Sequence, residues 1–68
     1  MATELVYIVA GIIREFDGAT RHINVGVRRD EKEARELGHK WMILANEDFK
    51  SEGSLNRASY ELEKWFLI

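Results

Sequence analysis

The feature that most narrows the fold is a run of nine residues without a charge, Leu5 to Ile13, bounded by Glu4 and Arg14. It is rich in valine, isoleucine and tyrosine, whose branched or aromatic side chains pack well on a pleated surface and favour extended backbone. Nine residues are too few to cross a bilayer, which takes about 20 in a helix. The run therefore reads as a strand. Because it lacks polar alternation, that strand is apolar on both sides. It is either covered on both faces or presents one of them to a partner.

A second extended stretch follows at Arg21–Arg28, where Ile23, Val25 and Val27 alternate with His22, Asn24 and Gly26. Asp17-Gly18 lies between the two stretches, and such a dipeptide favours a two-residue type I′ hairpin because that turn needs positive φ twice. With Asp17 and Gly18 as the turn, Ile12 pairs with Ile23, Ala10 with Val25 and Ile8 with Val27. These six share one face, which is expected to be the buried one. The other face then carries Leu5, Tyr7, Val9 and Ile13 beside His22, Asn24, Gly26 and Arg28.

Asp30 to about Phe49 is expected to be a helix. Asp30 with Glu33 fits a capping box, and Asp30, Glu31 and Glu33 suit the positive end of the helix dipole. Ala34, Leu37, Trp41, Leu44, Ala45 and Phe49 recur at steps that form one apolar stripe. Glu31–Arg35 and Glu36–Lys40 are i,i+4 pairs on the wet side. Gly38 in mid-helix costs about 1 kcal/mol of propensity, which suggests a close approach to the sheet at that point. Lys50-Ser51-Glu52-Gly53-Ser54 marks the break that follows.

The last segment admits two readings. Ala58, Leu62, Trp65 and Phe66 fit a helical stripe, whereas Tyr60, Leu62 and Phe66 fit one face of a strand. A strand from about Ala58 to Leu67 is preferred, because a lone hairpin is marginal without a third strand. The expected fold is thus a single α+β domain over residues 1–68. It is a ββαβ two-layer arrangement, a three-stranded antiparallel sheet in the order 2-1-3 packed by one helix, with a right-handed crossover. In outline and size it resembles many small proteins of bacterial and phage genomes, a likeness that assigns no residue a role.

A chain of about 60 residues buries only about 60% of its unfolded surface, so its stability is marginal. With no cysteine there is no disulfide or thiolate-bound zinc to reinforce it. Association is the remaining route. Glu4 stands where a signal peptide would be basic, and a cytoplasmic protein without a membrane partner is expected.

Little supports catalysis. His22 and His39 lack metal-ligand spacing, and Ser51, Ser54 and Ser59 have no histidine near them in sequence. Glu47–Asp48 and the pair Glu61 and Glu63 read as solvated charge, the latter marking an exposed face of the last strand. No glycine-rich phosphate loop is present. A non-enzymatic protein without cofactor or metal is expected; a metal or catalytic protein built on His22 and Asp17 is the least favoured class.

Two binding readings remain. Arg14, Arg21, Arg28 and Arg29 all belong to the hairpin and could contact nucleic-acid phosphates, although the net charge of −2 has the wrong sign for binding driven by charge. The favoured reading is a protein–protein interaction module, self-associating as a homodimer or acting as an adaptor or inhibitor. Its surface is expected to be Leu5, Tyr7, Val9, Ile13, Trp65 and Leu67, an aromatic–aliphatic centre rimmed by Glu61 and Glu63. Trp41, Phe49 and Phe66 are assigned to the core. On this reading Tyr7→Glu or Val9→Glu abolishes association and leaves the helix intact.

Overall fold

The computed structural model describes the backbone of residues 4–67 and the side chains of residues 4–66. The elements are β1 (Glu4–Arg14), β2 (Thr20–Arg28), α1 (Glu31–Ser51) and β3 (Arg57–Leu67). The three strands form one sheet in the order β2-β1-β3, with both neighbours of β1 antiparallel to it. The helix packs on one face. This is the two-layer α+β arrangement expected from the sequence, and the last segment is a strand.

The hairpin loop is one residue longer than the Asp-Gly signal suggests. Gly18 N–H donates to Glu15 C=O at 2.9 Å and Glu15 N–H to Ala19 C=O at 2.8 Å. Gly18 alone of the loop has positive φ, at 92°. Phe16, Asp17 and Gly18 are thus a three-residue loop, a type I turn followed by a left-handed glycine, and not a two-residue type I′ turn. Asp17 Oδ1 accepts the Ala19 N–H at 2.9 Å and fixes it.

That extra loop residue moves the whole pairing. Ile12 lies opposite His22 and Ala10 opposite Asn24, so the expected pairs Ile12–Ile23 and Ala10–Val25 do not form. A bulge between Val9 and Ala10 restores the lost residue, and Ile8 does face Val27. The bulge leaves Val25 and Gly26 both against Val9. Side chains alternate with period two, so a one-residue slip transfers every side chain of the loop-proximal half of β2, Thr20 to Asn24, to the other face.

The helix covers the face opposite to the one expected. Tyr7, Val9 and Ile13 are buried, Val9 completely, and Leu5 is half-buried against the same cluster with Ala34, Leu37 and Leu62. Two features select this face. On β3 it presents Ala58, Tyr60 and Leu62, whereas the reverse side carries Glu61 and Glu63, which cannot be covered cheaply. It also carries the glycines that admit the helix. A Cβ on Gly11 would meet the Trp41 ring at 2.6 Å and one on Gly26 the Leu37 methyl at 2.9 Å. A Cβ on Gly38 would overlap the Tyr60 ring. The helical glycine is therefore the seat of an aromatic ring, as its mid-helix position suggests.

Both helix ends are satisfied locally. Asp30 is extended and its side chain accepts the Lys32 N–H, one residue short of the Glu33 position of the expected box. At the other end Gly53, with φ 71°, closes a Schellman motif. Its N–H reaches Lys50 C=O at 3.1 Å and the Ser54 N–H reaches Phe49 C=O at 2.8 Å.

The helix leans towards β3. Asn46 reaches the first turn of that strand, where its Nδ2 donates to Ala58 C=O at 3.0 Å and its Oδ1 accepts the Ala58 N–H at 2.8 Å. One side-chain amide thus stands in for a neighbouring strand at Ala58. Because of the lean, Leu44 is not in the core stripe and is 52% exposed, with Ile23 of β2 uncovered beside the vacated face. Phe66, expected in the core, lies beyond the reach of the helix and is 66% exposed.

Two stability outcomes follow. Asn46→Ala strands two part-buried backbone groups and lowers unfolding free energy by about 1–3 kcal/mol in urea denaturation. Gly38→Ala gains about 1 kcal/mol of helix propensity, yet overpacking against Tyr60 costs about 1–3 kcal/mol, so the midpoint falls instead of rising.

Candidate protein interface

With α1 on the odd-numbered residues of β1, the even-numbered ones point away from it. Val6, Ile8, Ala10 and Ile12 form a continuous apolar row along the central strand. Register places Trp65, Glu63, Glu61 and Ser59 of β3 beside them on one side. On the other side stand Val27, Asn24 and His22 of β2. No element among the described residues covers this face. Val27 is 46% and Trp65 53% exposed. Val6, directly opposite Trp65, is buried, and Ile8, Ala10 and Ile12 are half-buried because the flanking side chains stand over them.

The expected surface is therefore redrawn. Of its six residues, Trp65 lies on the open face, opposite the side of Tyr7, Val9 and Ile13 with which it was expected to share a surface, and its indole N–H donates to Glu63 Oε2 at 3.2 Å. Tyr7, Val9 and Ile13 are core residues beneath the helix and Leu5 is half-buried there. The side chain of Leu67 lies outside the described residues. Ile8, Ala10 and Ile12 of the open row are the residues expected on the buried face; that the strand is apolar on both sides, with one face free for a partner, is legible from its composition. What the sequence did not show was which side that is.

The hairpin arginines do not converge. Arg14 and Arg21 stand at the loop end and Arg28 and Arg29 at the other, roughly 20 Å away along the strand. Arg21 Nε pairs with Glu15 at 2.9 Å, Arg29 with Glu4 at 3.4 Å, and the Arg28 guanidinium donates to the Val27 carbonyl at 2.8 Å. Arg14 is directly opposite Arg57 of β3. His22 and His39 are exposed, His22 on the open face opposite Ile12. Among the described residues no three His, Asp or Glu side chains are gathered as a metal site would need. Among the described residues no helix is long and apolar enough to cross a membrane.

A second apolar exposure lies at the loop end. Phe16 and Leu55 are each 78% exposed, and the segments bearing them are tied by the Phe16 N–H donating to Asn56 Oδ1 at 3.2 Å. Leu55 lines a shallow cleft of about 390 Å³ between the end of α1 and the start of β3.

Comparison with protein-family models, curated proteins and solved structures gives no match to this chain. The class it defines is that of a one-helix, three-stranded α+β domain, and its functional reading rests on its own surface.

The two faces of β1 are separable by experiment. Val9→Glu buries a charge with no partner and is expected to abolish the helical circular dichroism signal at 25 °C. Ile8→Glu, on the open face, is expected to keep that signal and to cost no more than about 1–2 kcal/mol. Equal loss of structure in both would place Ile8 in a core.

Proposed function

We propose that this chain is a small non-enzymatic protein–protein interaction module that self-associates through its open sheet face. The observation that supports it best is the apolar row Val6, Ile8, Ala10 and Ile12 on a central strand, flanked by exposed Val27 and Trp65 and rimmed by Glu61 and Glu63. A row of this kind with a charged rim is what a sheet presents to another sheet. The slim core points the same way. Val9 is the one large side chain fully buried among the described residues, while eight large hydrophobic ones are exposed.

Charge selects the pairing. A two-fold axis lying across the strands would stack β3 on its own copy and bring Glu61 and Glu63 towards their counterparts. An axis along the strands instead stacks β3 over the partner's β2, whose rim is Thr20, His22 and Asn24, and lays the two apolar rows together. The footprint of three strands about nine residues long is on the order of 400 Å² per copy, about half the roughly 800 Å² of a standard stable interface. The association is accordingly weak and concentration-dependent. The arginines, split between two ends and three of them already paired, give nucleic acid no comparable surface.

Light scattering coupled to gel filtration tests this. The mass is expected to rise from monomer towards dimer across micromolar to millimolar concentrations, and Ile8→Glu with Ile12→Glu to hold the chain monomeric at all of them. A monomer throughout in the unsubstituted protein refutes self-association.

A further inference from the structure

We propose that the free edge of β3 over residues 60–64 takes an extended basic segment of another protein as a fourth strand. The inference does not rest on the open face, since covering that face leaves this edge free.

The edge is open by construction. β3 is the last strand of the sheet, and its register with β1 runs without irregularity from Arg57–Arg14 to Leu67–Glu4. Ala58 gives both its backbone groups to Asn46, so it points away from β1. In an antiparallel ladder the outward residues recur every second position. Tyr60, Leu62 and Lys64 therefore direct their N–H and C=O groups outward, beyond the reach of Asn46. A cleft of about 410 Å³ runs beside them, lined by Tyr7, Glu31, Arg35, Lys64 and the stretch Tyr60, Glu61 and Leu62. It lies where the helix, leaning on β3 at its C-terminal half, leaves the strand uncovered near its N-terminus. A strand added here would direct alternate side chains into that cleft and the others over the open face, next to Glu61 and Glu63. Both carboxylates are exposed, and no cation pairs with either among the described residues.

Over residues 60–64 the same charges disfavour a second copy of β3 as the occupant. A two-fold centred on residue 61, 62 or 63 sets carboxylates directly opposite one another, and one centred on Lys64 opposes two ammonium groups. Centred on Tyr60, the pairing must run through Ala58, whose edge groups Asn46 holds. The complementary strand is one with Lys or Arg at alternate positions, facing Glu61 and Glu63, and apolar residues between them, entering the cleft against Tyr7, Tyr60 and Leu62.

The test uses a nine-residue peptide of alternating lysine and valine, added to the full chain and to the Ile8→Glu variant, with amide hydrogen exchange read residue by residue. The free protein is expected to exchange the Tyr60, Leu62 and Lys64 amides fast. Bound peptide is expected to slow them at least tenfold in both proteins. N-methylation of the valines, whose N–H groups face β3, is expected to abolish binding, and N-methylation of the lysines to leave it. Glu61→Lys with Glu63→Lys is expected to weaken binding at least tenfold. Equal binding of an all-lysine peptide, equal effects of the two N-methylation patterns, or edge amides already protected without peptide would each overturn the proposal. Failure of the open-face dimer would leave all these readings unchanged.

Discussion

The structure depends on how closely the helix sits on the sheet, and glycine sets that distance. Gly38 of α1 receives the Tyr60 ring, Gly11 of β1 receives the Trp41 ring, and Gly26 of β2 receives the Leu37 side chain. Each is a place where one layer lacks a Cβ so that the other layer can fill the gap with a large side chain. In a chain this small, dispersion contacts across one interface supply most of the cohesion. Two of the three contacts seat whole aromatic rings. They also fix the azimuth of the helix, turning Ala34 and Gly38 to the sheet and leaving Ile43 and Leu44 outward.

The lean of the helix follows from the same contacts and has consequences at both edges of the sheet. Because α1 ends over β3, Asn46 can reach Ala58 and close the start of that edge with two hydrogen bonds. Because α1 begins nearer β2, the later part of β3 keeps its outward backbone groups free, with a cleft alongside. On β2 most residues are exposed. The sheet thus has an apolar open face, one edge partly closed by a side chain and another edge carrying arginines, which are the usual deterrents to unwanted strand pairing.

Much of the fold was legible from local signals. The helix has its cap at Asp30 and its stop at Gly53, and its i,i+4 pair Glu31–Arg35 forms at 2.9 Å. The third strand was called for because a lone hairpin is unstable, and its alternation of Tyr60 and Leu62 against Glu61 and Glu63 already separated a covered side from a wet one. The failure began at the loop. Asp17-Gly18 suits a two-residue turn, but Phe16 joins it, and one added residue reverses which side chains of β2 accompany which of β1. The bulge at Val25 then conceals the slip at the far end, where Ile8 and Val27 meet as expected.

The sequence by itself determined that β1 is apolar on both sides, which a central place in the sheet accounts for, and that β3 has one solvated face, because Glu61 and Glu63 cannot both be desolvated without partners. Only the tertiary structure decided which row of β1 is core. Leu5, Tyr7, Val9 and Ile13 and the row Val6, Ile8, Ala10 and Ile12 are nearly equal in hydrophobicity, so burial energy alone does not choose between them. The choice falls to shape and to the neighbouring strands: the glycines that admit the helix lie on the odd side, and the carboxylates of β3 lie on the even one. That preference is a property of the paired sheet, absent from any one segment read alone.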